Sequence, residues 1–149
     1  MVFKLDYDNL IFLDAEDLAE GGIKAAYESL LPKLRELVPH ATPIEEVIDD
    51  STPSYAVRYG DRTFAIYAPE LDDGDGRSWG RATQAFFAIV NDQLRDSTHR
   101  LFAINGGNDL GGMLLTIAES EAARQSLPRK TDWPYLPDDN HPWYGQYHD

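Results

Sequence analysis

Apolar residues recur at the three-to-four-residue spacing of one helix face between residues 15 and 38. The pair Gly21-Gly22 weakens the start of this stretch, so the pattern predicts a firm helix over residues 22–38. Pro32 removes one backbone N–H and is expected to kink this helix, and Pro39 is expected to end it.

A second stretch with helical spacing covers residues 79–94, and Ser78 precedes it as the expected N-cap. A shorter third helix is predicted over residues 118–126. Thr116 stands three residues before Glu119, which is the spacing of a capping box.

Runs rich in Tyr, Val, Phe and Ile, interrupted by Gly-containing turns, predict two antiparallel hairpins over residues 54–68 and 100–116. Residues 3–7 alternate apolar and polar side chains and predict a half-buried strand. Residues 10–13 either extend that strand or form a second one. Residues 43–50 are interpreted as a short turn or strand.

Helices and hairpins therefore alternate along the chain. This order predicts the α+β class, with one antiparallel sheet built from the two hairpins and helices packed on one face. Residues 1–126 are expected to form a single domain. Residues 127–149 contain several Pro and aromatic residues without periodicity, and are expected to form a tail packed along that domain.

The charge balance excludes some classes of partner. The chain of 149 residues has 26 acidic and 13 basic side chains, a formal net charge of −13. Such a surface repels phosphates and anionic lipids, so neither nucleic acid nor membrane is expected as a partner. A basic protein is favoured, although acidity also serves solubility. The chain has no cysteine and begins without a signal-peptide pattern, so a cytoplasmic location is expected.

The loop Asp72-Asp73-Gly74-Asp75-Gly76 resembles part of a calcium-binding loop. An EF-hand needs oxygen ligands at its first and last loop positions. With Gly76 as the sixth position, Leu71 and Ala82 occupy those two places, and neither side chain can ligate calcium. An EF-hand is thus excluded. A weaker cation site and a plain acidic loop at a helix N-terminus both stay open.

The segment from Gly106 to Gly112 carries four glycines around Asn108-Asp109. It lacks the Lys-Ser/Thr end of a phosphate-binding loop, and it joins two predicted strands rather than a strand and a helix. It is interpreted as a hairpin turn, with a recognition loop as the alternative.

The four histidines do not have the spacing of metal ligands; they are His40, His99, His141 and His148. No serine stands in a nucleophile elbow. No cofactor and no metal are predicted. A small hydrolase that uses scattered carboxylates and His99 stays an alternative, as does an adaptor domain.

One part of the chain resembles a known family. An aromatic-rich helix ends in Val90-Asn91-Asp92-Gln93-Leu94, and a strand then leads to the segment from Asn105 to Gly112. This stretch is similar to the small acidic immunity proteins of bacterial polymorphic-toxin systems, in particular the group around immunity protein 51. The resemblance implies a protein without enzymatic activity that binds and blocks a cognate toxin.

The predicted partner is accordingly a basic toxin domain. The predicted partner-binding residues are the acids of two loops, two residues of the Gly-rich turn and two tail aromatics. They are Asp49, Asp50, Asp72, Asp73, Asp75, Asn108, Asp109, Trp143 and Tyr144.

Overall fold

The computed structural model describes residues 4–71 and 77–137. Its helices are α1 (Ala15–Asp17), α2 (Ile23–Leu34), α3 (Arg77–Gln93) and α4 (Ile117–Ser126), with a π-helical turn at Leu18–Gly22 and short 3-10 turns. Its strands are β1 (Ile11–Phe12), β2 (Ile44–Asp49), β3 (Ser54–Tyr59), β4 (Arg62–Tyr67), β5 (His99–Ile104) and β6 (Gly111–Thr116). The predicted α+β class and both predicted hairpins are confirmed.

The two hairpins do not share the single sheet that was predicted. Sheet 1 has the strand order β1-β6-β5, and sheet 2 has the order β2-β3-β4; both are antiparallel. Each hairpin acquires a third strand of its own, because Ile11 pairs with Gly112 and Ile44 pairs with Tyr59. Each hairpin therefore belongs to a separate three-stranded sheet.

The predicted helices pack against two sheets rather than one. Helix α3 contacts β4 of sheet 2 and β5 of sheet 1, so it lies between the sheets. Leu101 and Ala103 of β5 belong to the main core, and the residues that alternate with them point the other way. That second face of sheet 1 is buried as well, by a smaller cluster of Phe102, Ile104, Met113 and Leu115 against Leu5 and Leu10.

The N-terminal segment is not the strand predicted for residues 3–7, of which residue 3 lies outside the described part. Residues Tyr7–Asn9 form a 3-10 turn instead. The Asp6 carboxylate accepts hydrogen bonds from the backbone N–H of Asp8 at 3.1 Å and from Asn9 Nδ2 at 2.9 Å. Short polar side chains that bond to nearby backbone favour turns over strands.

The predicted helix ends differ from the observed ones. Helix α2 ends at Leu34 rather than at residue 38, and bonds of three-residue span tighten the chain before Pro39. The described part of helix α3 starts at Arg77, so Ser78 lies inside the helix and is not its cap. The capping box of Thr116 and Glu119 is confirmed, with both of its hydrogen bonds formed.

Candidate functional site

Strand β2 is the open edge of sheet 2. It pairs with β3 along its whole length, from Ile44–Tyr59 to Asp49–Ser54. Within residues 4–71 and 77–137, no hydrogen bond joins the outer side of β2 to another segment. The opposite edge is treated differently, since Arg81 Nε donates to the Ile66 carbonyl of β4 at 2.8 Å.

The register shows which backbone groups of β2 point outwards. The two-residue turn between β3 and β4 makes Tyr59 and Arg62 a hydrogen-bonded pair. Successive residues of a strand direct their backbone groups to opposite sides. Counting back along β3 from Tyr59, which bonds to β4, the residue opposite Val47 points to β2, so Val47 bonds to β3. Its neighbours Glu46 and Ile48 therefore turn their N–H and C=O groups to the open edge.

The side chains along this edge combine apolar and acidic groups. Ile44 is buried, whereas Val47 is 40% exposed and Ile48 is 53% exposed. Glu45 and Asp49 of the same strand are exposed as well. With exposed Asp50, which follows β2, the segment carries four acids and no base. We call residues 44–50 the acidic edge.

The end of the acidic edge is fixed by its own turn. The Asp49 carboxylate accepts hydrogen bonds from the N–H of Ser51 at 2.9 Å, from Ser51 Oγ at 2.7 Å and from the N–H of Thr52 at 3.2 Å. The hydroxyl of Ser51 and these backbone bonds lower the pKa of Asp49 below its usual value. Asp49 therefore shapes the turn, while Asp50 is the exposed acid beside it.

A buried tyrosine positions the middle of the acidic edge. The hydroxyl of Tyr55 donates to Glu46 Oε2 at 2.5 Å and accepts the backbone N–H of Ile23 at 3.1 Å. Burial and the bond to Glu46 raise the pKa of Tyr55 well above its usual value. Tyr55 thus connects β2 to the first residue of α2.

A second polar network holds the start of β2 against helices α2 and α3. Tyr27 Oη donates to the Thr42 carbonyl at 2.5 Å and accepts from Gln93 Nε2 at 2.9 Å. Gln93 Oε1 in turn accepts the N–H of Thr42 at 2.7 Å. Because both helices contribute to this network, the chain enters β2 at a fixed position.

A third tyrosine, Tyr59, connects β3 to α3. Tyr59 Oη donates to Asp92 Oδ2 at 2.6 Å, and Arg95 Nη1 lies 2.9 Å from Asp92 Oδ1. The bond from Tyr59 lowers the pKa of Asp92, and burial raises the pKa of Tyr59 to about 12. Sheet 2 is therefore connected to α2 and α3 by hydrogen bonds, while the outer side of β2 has no hydrogen-bond partner within the described ranges.

The Gly-rich turn forms a separate surface on sheet 1. Asn105 and Gly107 adopt positive φ angles of 57° and 56°, which a tight turn here requires. Asn108 Nδ2 donates to Asp14 Oδ1 at 3.1 Å and to Glu16 Oε1 at 3.0 Å. The hairpin turn predicted for this segment is confirmed, and its Asn108 binds α1 carboxylates.

The structure separates the predicted site residues into two groups. Asp49 and Asp50 lie together on sheet 2, and Asn108 and Asp109 lie together on sheet 1, near the 66% exposed Phe12 of β1. The remaining predicted site residues lie outside the described residues; they are Asp72, Asp73, Asp75, Trp143 and Tyr144.

His99 lines an open groove of about 240 Å³ beside Lys33, Glu36 and Leu114. Its Nδ1 lies 3.0 Å from Thr98 Oγ1. In the described ranges, no three His, Cys, Asp or Glu side chains are grouped so that they could hold a metal ion. The described helices also include none with the length and apolar character needed to cross a bilayer.

Sequence reasoning missed the apolar part of the acidic edge. The segment Ile44-Glu45-Glu46-Val47-Ile48 was interpreted as a turn or strand, and its apolar residues gave no sign of exposure. The available signal was the density of acids around Val47 and Ile48, since a strand buried on one face rarely carries adjacent acids on both faces.

Comparison with protein-family models, with curated proteins and with solved structures finds no match for this chain.

Proposed function

We propose that this chain is a binding protein without enzymatic activity that neutralises a basic partner protein, as an immunity protein neutralises its cognate toxin. The observation that supports this proposal best is the acidic edge. There Val47 and Ile48 are exposed beside Glu45 and Asp50. Hydrogen bonds connect this strand to the helices packed against its sheet.

This combination suits a protein interface. Exposed branched apolar side chains supply area that a partner removes from water. The acids around them attract a basic surface during encounter and disfavour neutral or acidic competitors. The net charge of −13 extends the same attraction over the whole molecule.

The rigidity of the acidic edge also favours binding. Tyr55, Tyr27 and Gln93 fix β2 through hydrogen bonds to two helices. A surface that is already ordered loses little conformational entropy when a partner docks, so more of the contact energy becomes affinity.

The test combines capture and growth. The tagged chain is used to isolate partners from its host, and each captured protein is then expressed alone and together with this chain. We expect one basic partner to arrest growth alone and to become harmless on co-expression. A captured partner whose toxicity persists on co-expression would contradict the proposal.

A matched variant shows whether the acidic edge is the surface used. The double substitution Val47→Ser with Ile48→Ser removes the exposed apolar area and leaves every acid in place. We expect this variant to fold and to lose protection of growth. The control is Phe12→Ser, which removes the exposed aromatic ring of sheet 1 and should retain protection.

A further inference from the structure

We infer that the acidic edge binds its partner by sheet extension, and that the occupant is an extended basic segment of the partner that adds a strand to β2. This inference rests on the proposed function and states how the partner is recognised. The observation that carries it is the outer backbone side of β2, which has no hydrogen-bond partner among the described residues.

The backbone geometry supports the first half of the inference. Six residues of β2 form a regular ladder with β3. On the outer side, Glu46 and Ile48 direct N–H and C=O groups toward a side where the described residues provide no hydrogen-bond partner. An incoming strand pairs with such groups without any rearrangement of the sheet.

Among residues 4–71 and 77–137, no proline, bulge or covering segment blocks pairing along this edge, and its acids disfavour acidic strands rather than basic ones. Proteins protect exposed edges with proline, bulges or covering segments. Pro43 and Pro53 flank β2 but do not interrupt it, and the β2–β3 register runs without a shift. The irregularity in sheet 2 lies between β3 and β4, on the far side.

Charge decides between a foreign strand and a second copy of this chain. If two copies paired antiparallel so that Glu46 of one faced Ile48 of the other, Glu45 would face Asp49, and a register centred on Ile48 would place Glu46 opposite Asp50. Like charges directly opposite each other destabilise a strand pair. A strand that alternates Lys or Arg with Val or Ile can instead place its cations on the face of Glu45 and Asp49 and its apolar side chains on the opposite face, beside Ile48.

The test uses an octapeptide of alternating Lys and Val as the probe, with the full chain. Binding is measured by titration calorimetry, and amide exchange is followed residue by residue by NMR. We expect the peptide to slow exchange at the amides of Glu46 and Ile48. The amide of Val47, which already bonds to β3, should change less.

Two variants at one position separate backbone pairing from side-chain contact. Ile48→Pro removes the outward N–H and leaves the β2–β3 ladder intact, because proline is tolerated on the open side of an edge strand. Ile48→Ala removes the same apolar side chain but keeps the N–H. We expect the proline variant to bind at least about tenfold more weakly than the alanine variant, because it lacks an outward donor and its ring obstructs the approach.

The outcomes are distinct. Equal affinity of the two variants, or no protection of Glu46 and Ile48, overturns sheet extension even when growth protection shows that the chain neutralises a basic partner. Failure of the peptide to bind overturns it as well. Equal binding of a Glu-Val octapeptide overturns the basic occupant, and a dimer that Ile48→Pro converts to monomers would identify a second copy instead.

Discussion

The two sheets of this molecule protect their edges in different ways. In sheet 1, the outer edge of β5 meets Tyr135, whose N–H donates to the Ala103 carbonyl at 3.0 Å while Ala103 N–H donates to the Tyr135 carbonyl at 2.7 Å. The other edge strand, β1, has only two residues. In sheet 2, the six-residue strand β2 has no such protection among the described residues.

The sheets also differ in how they are held. Sheet 1 is buried on both faces by apolar clusters, whereas sheet 2 contributes one face to the main apolar core and is also connected to its helices by tyrosine hydroxyls. Apolar burial on two faces stabilises a scaffold. Directional hydrogen bonds fix one sheet in position and leave its edge accessible. Under the proposed function, sheet 1 is the scaffold and the acidic edge of sheet 2 is the binding surface.

The largest expected effect comes from one substitution made in both sheets. Ile104 in β5 is 2% exposed and Ile48 in β2 is 53% exposed. We expect Ile104→Ala to lower the free energy of unfolding by about 2–5 kcal/mol, because a buried isoleucine leaves a cavity. Ile48→Ala should change it by less than about 0.5 kcal/mol. Urea unfolding measures both, and similar losses would contradict the exposed position of Ile48 on the acidic edge.

A smaller effect is expected from the tyrosine that ties sheet 2 to α3. The pKa of Tyr59 is raised to about 12 in the folded chain, against about 10 when unfolded. Its contribution to stability is therefore complete below pH 10 and is lost as the pH rises through 12. We expect Tyr59→Phe to cost about 0.5–1.5 kcal/mol at pH 7 and to flatten the loss of stability between pH 10 and 12.

The control for this measurement is Tyr7→Phe, which removes a hydroxyl from a ring that is 51% exposed. Tyr27, Tyr55 and Tyr135 also have raised pKa values, so the alkaline slope should diminish in Tyr59→Phe without disappearing. An unchanged slope would show that the bond to Asp92 does not anchor sheet 2.

Local signals in the sequence predicted the elements but not their assembly. The Gly60-Asp61 turn and the Thr116 capping box depend on neighbouring residues, and both formed as predicted. The third strand of sheet 1 pairs Ile11 and Phe12 with glycines from the other end of the chain. No periodicity specifies such a distant partner, so one sheet was predicted where two exist.

The candidate site was predictable in the same partial way. Acid density in the sequence predicted Asp49 and Asp50 as partner contacts, and the structure places both, exposed, on the acidic edge. The exposure of Val47 and Ile48 was not predictable, because apolar residues in a strand ordinarily indicate a buried face. It depends on β2 taking the edge position of its sheet, which is a property of the complete fold.

The smallest expected effect on stability comes from neutralising exposed acids, and it gives the finest comparison of the two sheets as binding surfaces. The double variant Glu45→Gln with Asp50→Asn removes two charges from the acidic edge, and it spares Asp49, whose carboxylate holds the turn. The matched control, Asp109→Asn with Glu121→Gln, removes two exposed charges from the Gly-rich turn and α4. Both variants should keep the parent's free energy of unfolding within about 0.5 kcal/mol.

The association rates should nevertheless separate them. Charges at the rim of an interface act mainly on association and its salt dependence. Stopped-flow mixing with the captured partner should therefore show slower association for the acidic-edge variant at low salt. The difference should shrink at 0.1 M salt and above, where the screening length is about 10 Å or less. Equal slowing by both variants would assign the effect to net charge alone, and slowing by the control alone would place the binding surface on sheet 1.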